Sequence, residues 1–251
     1  ALARGGVGEL TLVDHDAVSL SNLNRQLCAL HSTLGQGKAA VMARRIAEIN
    51  PACRVHVLEK LYCEQEKATF FTSQYDYIVD CIDMVSSKLS LIQEAMARGI
   101  PILSAMGTGN KLDPTKFVIT DLSKTNSCHL ARVMRRELRA RGIMHHRVLY
   151  STEPVRTPLP LEAPPEGKRS LPGSVSWVPS CAGLTLAGDV IVPSTDYTVI
   201  FKVVSAGGRS TVKSENVSTT SGDVPPSDLT FSIAVTELKA TSAMVTVTPS
   251  N

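Results

Sequence analysis

Four charged side chains in the first third of the 251-residue chain stand where a nucleotide could use them. Asp14 follows an apolar run at 10–13 and leads into His15 and Asp16. A carboxylate at the end of a nucleotide-fold strand can accept both ribose hydroxyls; the alternative is a turn or capping aspartate. Arg25 lies in the run Ser21-Asn22-Leu23-Asn24-Arg25-Gln26, and Lys38 closes Gly35-Gln36-Gly37-Lys38. A planar guanidinium on one side and a point charge on the other suit a triphosphate. Two solvated surface cations are the competing explanation. Asp83 ends Asp80-Cys81-Ile82-Asp83. It could hold Mg²⁺ beside phosphates, because Mg²⁺ takes one or two carboxylates plus phosphate oxygens. It could equally cap the helix that follows.

These residues need a scaffold that brings strand ends to one rim. Runs at 10–13, 54–58, 77–82, 101–106, 117–122 and 147–150 read as strands. Helical spacing recurs at 34–49 (Val41, Ile46, Ile49), at 86–98 (Leu89, Ile92, Met96) with Gly99 as its C-cap, and at 129–141. Strands alternating with helices predict right-handed crossovers and an α/β fold with a mainly parallel sheet. Ligands in such sheets bind beyond the carboxyl ends of the strands. Residues 151–173 hold six prolines and read as a loop or crossover.

Composition narrows the function classes. A net charge of +3 with 20% charged residues is too mixed for a dedicated nucleic-acid condenser. No apolar run reaches the ~18 residues of a membrane helix, and no secretory signal is visible. Six scattered cysteines contain no C-x-x-C pair, which argues against structural zinc. The chain changes character near Val192. Residues 1–191 carry 22 basic and 18 acidic side chains, whereas 20 of the 60 residues at 192–251 are Ser or Thr. Two domains are expected, 1–191 and 192–251.

The string LVDHDAVSLSNLNRQ, then GQGK, then IVDCIDMVSSK resembles the ThiF/MoeB/HesA superfamily of E1-like enzymes that adenylate carboxylates. The stretches MGTGNKLDPTKFVITDLSKTNSCHLARVMRREL and PGSVSWVPSCAGLTLAGDVI look most like the tRNA threonylcarbamoyladenosine dehydratase branch. The resemblance covers roughly 1–191 and implies a Rossmann-like adenylation fold. It implies ATP and Mg²⁺ as cofactors. Asp14 would bind ribose, Asn22 and Arg25 the phosphates with Gln26 beside them. Lys38 would neutralise the triphosphate, and Asp83 would be linked to magnesium. Arg25, Lys38 and Asp83 would be catalytic. The expected reaction is carboxylate attack on the α-phosphate of ATP, then cyclisation within the same substrate. The partners implied are tRNA carrying threonylcarbamoyladenosine and a second copy in a homodimer, in the cytoplasm and away from membranes. Activation of a ubiquitin-like sulfur carrier, with a cysteine desulfurase as a possible further partner, is the alternative.

Some features depart from that pattern. The family's G-x-G-G-V-G-S loop between a first strand and a helix is not found here. Gly5-Gly6-Val7-Gly8 precedes a strand instead of opening a helix, so it reads as a helix-to-strand turn. The expectation is a fold lacking its first strand and phosphate loop, with weakened ATP binding and impaired activity. Gly37 stands where the family usually has proline. Cys128-His129 invites a catalytic reading, but neighbours on a helix point about 100° apart; Cys181 reads as a core thiol. Arg132, Arg135, Arg136 and Arg139 form a basic strip, with Arg141 and Lys124 nearby, that either attracts RNA phosphates or is a solvated helix face.

The segment 192–251 reads as strands and turns throughout. Its pieces at 197–204, 209–220 and 243–248, with Val224-Pro225-Pro226-Ser227 between, resemble parts of fibronectin type III repeats. Sixty residues are fewer than the ~100 such a sandwich needs, so an incomplete β-rich segment is expected. Asn216-Val217-Ser218 is a glycosylation sequon. A non-enzymatic fusion with an adhesion segment is therefore a third reading.

Overall fold

The computed structural model describes residues 1–157 and 173–191 in full, and the backbone of four strands within 196–250. Two compact units emerge, Ala1–Ala187 and Gly188–Asn251.

In the first unit, β1 (Glu9–Val13) pairs in parallel with β2 (Arg54–Leu58), Glu9 opposite Arg54 and Val13 opposite Leu58. The helix α1 (Lys38–Ile49) connects them. Its Ile46 packs with Ala3 and Cys53 and against half-buried Leu10, Leu12 and Val55. The helix starts at Lys38 instead of Leu34, because Gly35 has φ +79° and a 3₁₀ turn occupies His31–Thr33.

A four-stranded sheet has the order β3-β4-β6-β5. β3 (Ile78–Asp80), β4 (Ile102–Ala105) and β6 (Arg147–Ser151) run parallel, and β5 (Phe117–Asp121) lies antiparallel to β6. β3 is shorter than the run at 77–82 suggests. Asp80 ends it by turning its carboxylate onto the Ile82 N–H at 3.0 Å. β1 and β3 are each edge strands of their ladders.

Strand alternation sends side chains to both faces. On one face Ile102, Val148 and Tyr150 meet Leu89, Ile92 and Ala95 of α2 (Val85–Ala97) and Ala131, Met134 and Leu138 of α3 (His129–Ala140). On the other, Leu103 and Leu149 meet Ala182 and Leu186 of α4 (Trp177–Ile191). Sequence reading assigns no element to this last helix. Pro179 falls in its first turn, where a missing N–H costs no intrahelical bond. Val178, Ala182 and Leu186 form its buried stripe.

Gly99 does end α2. It adopts φ +67°, its N–H reaches Met96 C=O at 3.1 Å, and the Ile100 N–H reaches Ala95 C=O at 2.9 Å. Gly142, at φ +77°, closes α3 the same way, with Ile143 bonded to Leu138.

In the second unit, β7 (Asp196–Val204) pairs antiparallel with β8 (Ser210–Ser218). β9 (Thr230–Lys239), which the sequence reading lacks, pairs antiparallel with β10 (Ser242–Ser250). The expected turn at 205–208, the Pro-Pro linker at 224–227 and most of the proline-rich stretch lie outside the described residues. Among the described residues no helix is long and apolar enough to cross a membrane.

Candidate nucleotide-binding site

The end of β1 and the start of α1 meet through the loop between them. Ala17 and Gly37 form an antiparallel bridge, with Val18 N–H on Gln36 C=O at 2.8 Å and Lys38 N–H on Asp16 C=O at 2.9 Å. Asp14 and Lys38, far apart in sequence, are thereby brought to one rim.

Asp14 is half-buried. Its N–H extends the ladder to Leu58 C=O at 3.3 Å, and its Oδ1 accepts the Asp16 N–H at 2.9 Å. That leaves Oδ2 without a partner among the described residues. Asp16, which sequence reading passed over, holds the Lys38 ammonium at 2.6 Å. The Lys38 side chain is only 11% exposed, against 51% for Asp16. The hydrogen bond from Lys38 keeps the Asp16 carboxyl below its usual range. Lys38 is thus a braced cation and not a freely solvated one.

The loop from Ser19 to Gln26 is built around Asn22. This side chain is buried and its Oδ1 accepts the Ser19 N–H at 3.0 Å, closing a 3₁₀ turn. Only its Nδ2 is left to face a ligand. Arg25 is half-buried; its Nη1 donates to Ser21 C=O at 2.9 Å and to Asn24 Oδ1 at 2.8 Å. The rest of its fork is available. Gln26 bonds its N–H to Asn22 C=O at 2.9 Å, and its Oε1 accepts the Cys28 thiol at 3.7 Å. Asn24 Nδ2 ties the loop to Ser174 C=O at 3.1 Å, just ahead of α4. Gly37 has φ −58°, within the range proline requires; a Cβ there would meet only the flexible end of Glu59.

Asp83 lies three residues past β3 and is exposed. The helix N-cap is Met84, so Asp83 does not cap α2. Its carboxylate makes no ion pair among the described residues. Behind it lies a buried pair, Asp80 and Lys88, at 2.7 Å with both side chains fully inaccessible. One oxygen of Asp80 takes Lys88 and the other takes the Ile82 N–H, so the pair fixes the turn that presents Asp83. Next to it, His146 Nε2 and Ser104 Oγ share a hydrogen bond of 2.8 Å. Burial lowers the His146 pKa to about 4.

The remaining candidates settle into plain roles. Cys128 caps α3, its Sγ accepting the Ala131 N–H at 3.5 Å, while His129 meets Arg132. Cys181 is half-buried on α4, and all six cysteines are free. Arg135 is half-buried and donates to Leu122 C=O, Thr125 C=O and Thr125 Oγ1. It is a brace for the turn before α3. Arg136 bonds Glu137 at 2.8 Å. Arg139 is exposed and unpartnered among the described residues.

Comparison with known proteins bears on this arrangement. The ThiF family matches residues 1–246. A tRNA threonylcarbamoyladenosine dehydratase of Bacillus subtilis is 42% identical over 204 residues, covering 76% of this chain and 79% of its own. One of Escherichia coli is 41% identical over 140 residues, 56% of this chain and 52% of its own. The solved E. coli tRNA N6-threonylcarbamoyladenosine dehydratase in complex with ATP superposes with a TM-score of 0.66 at 32% identity, covering 75% of this chain and 76% of that one. With the α/β architecture in place, the chain belongs to the ThiF family of E1-like proteins.

Proposed function

We propose that this chain is an ATP-dependent tRNA threonylcarbamoyladenosine dehydratase. The observation that carries the reading is the Ala17–Gly37 bridge, which joins Asp14 at the end of β1 to Lys38 at the start of α1. Similarity to the two dehydratases named above supplies the substrate class.

In this reading Asp14 accepts the ribose hydroxyls through its unpartnered oxygen. Arg25 and the Asn22 amide contact the phosphates, with Gln26 holding the loop. Lys38, braced by Asp16, faces the α-phosphate. The substrate carboxylate attacks that phosphorus and pyrophosphate leaves. Concentrated positive charge lowers the cost of the negative charge that develops. A nucleophile within the same substrate then attacks the acyl carbon. AMP departs with one former carboxylate oxygen, the ring closes, and the nucleoside has lost one water overall. The exposed, unpaired carboxylate of Asp83 fits Mg²⁺. Bound there, Mg²⁺ would neutralise the phosphate oxygens. In this reading the protein works in the cytoplasm, and a homodimer is the expected assembly. The segment 192–251 is read as a fibronectin-like addition that takes no part in the chemistry.

The test is direct. The chain is incubated with millimolar ATP, Mg²⁺ and tRNA carrying threonylcarbamoyladenosine, and the digested nucleosides are weighed by mass spectrometry. An ATP-dependent loss of one water is expected. Adenylation of a Gly-Gly-ended sulfur carrier with no change in the nucleoside would favour the sulfur-carrier reading.

A further inference from the structure

Helix α3 has two faces of opposite chemistry. Ala131, Met134 and Leu138 are at most 1% exposed and fill the core. Arg132, Arg136 and Arg139 repeat at intervals of four and three, so they form one outward stripe about 10 Å long. The only acid on the helix is Glu137. It is taken by Arg136 at 2.8 Å and by Arg141 at 3.0 Å. One carboxylate shared by two guanidiniums leaves a surplus of positive charge. Arg139 and Lys124 have no partner among the described residues, and Arg132 meets only the His129 ring at 2.9 Å.

The stripe borders two open, shallow depressions. An open depression of about 460 Å³ is lined by Arg132, Arg135, Arg136, Arg139 and Ala140. A second groove, about 670 Å³, runs between α2 and α3. Its charged walls are balanced, Arg136 and Arg141 against Glu64 and Glu137, with Val85 and Ser86 at the start of α2 beside them.

We propose that this α3 face docks the phosphodiester backbone of the RNA substrate, through Arg132, Arg136 and Arg139. The inference rests on the dehydratase reading and adds to it where the RNA lies. Arg135 is not part of the docking set, since backbone acceptors already hold it. Planar guanidiniums that keep free donors suit phosphate oxygens. Displacing condensed counterions makes such binding salt-dependent, with a slope in log K of about 0.7–0.9 for each contacted phosphate.

The experiment measures binding of fluorescently labelled tRNA by anisotropy at several salt concentrations. The proteins are the parent chain, the double variant Arg132→Glu/Arg139→Glu, and Arg54→Glu as a control on a distant strand. Thermal melting and AMP titration are run on each. The double variant is expected to bind tRNA at least about tenfold more weakly, with a salt slope smaller by roughly 1.5, the sum of two contacts. Its melting and AMP binding should match the parent. Unchanged tRNA affinity and slope, while the parent binds tRNA, would overturn the docking surface and leave the dehydratase reading standing. So would equal competition from polyglutamate at matched charge, which would assign the face to an acidic protein. No tRNA binding by any of the proteins would overturn both.

Discussion

Lys38 carries its charge into the rim on a fixed stem. Most of the side chain is buried, and Asp16 clamps the tip at 2.6 Å. Because Asp16 is half exposed, that pair contributes only about 0–1 kcal/mol to stability. Replacing Lys38 by Met therefore separates chemistry from folding. Product formation should fall about a hundredfold, the cost of removing one preorganised charge from a transition state. The thermal midpoint should move little. Full activity in Lys38→Met would take the residue out of the phosphate site. His146 gives a second residue-scale test, on stability. It is buried against Ser104, with Asp80, Lys88 and Asp121 as the charges around it. Its folded pKa is about 4, below the ordinary 6.5. Between those values the unfolded chain binds the extra proton, so stability rises with pH there. The neutral ring's contribution is complete above pH ~6.5 and lost as the pH falls toward ~4, about 3 kcal/mol in all. In His146→Asn, the dependence of the urea midpoint on pH across this window should flatten. A dependence as steep as the parent's would assign it to other groups.

At the scale of elements, the turn after β3 is held from below. Lys88 of α2 and Asp80 of β3 share no solvent, and removing one partner leaves a bare charge inside. Lys88→Met should cost about 3–5 kcal/mol in urea unfolding. Asp80→Asn/Lys88→Met should recover most of that loss, because the uncompensated charge is gone. A double variant no more stable than the single would show that the pair is not a coupled unit. Much of this level was legible in the sequence. Apolar runs bounded by Asp, Asn-Pro and Gly mark β1, α1 and the Gly99 cap because local sterics decide them. The rest depended on contacts between distant segments. Lys88 looks like any surface lysine until α2 is packed on the sheet. Arg135 and Arg139 are indistinguishable in the string Arg132-Val133-Met134-Arg135-Arg136-Glu137-Leu138-Arg139. Only the turn at Leu122–Lys124 folds back to claim the first of them. α4 was hidden for a different reason: Pro179 and a run of small residues weaken any helical signal.

Across the molecule, the proposed site would draw on two ladders. Asp14, Arg25 and Lys38 belong to the β1–α1 part, and Asp83 belongs to the four-stranded sheet. The proximity of the Asp14 turn to Lys38 follows from the bridge between Ala17 and Gly37, and both residues stand out in the run of motifs. How each is tethered was not legible there, because the tethers are Asp16, the Asn22 turn and Asn24 on Ser174. The second unit contributes two antiparallel strand pairs, three of whose strands fall on the pieces expected at 197–204, 209–220 and 243–248. The claim common to all of this is that one nucleotide engages both ladders at once. A crystal structure of the chain soaked in AMP measures it most directly. The ribose hydroxyls are expected within about 3 Å of the Asp14 carboxylate, with the phosphate between Arg25 and Lys38 on the side where Asp83 stands. AMP bound away from Asp14, or with its phosphate turned from Lys38 into solvent, would contradict it.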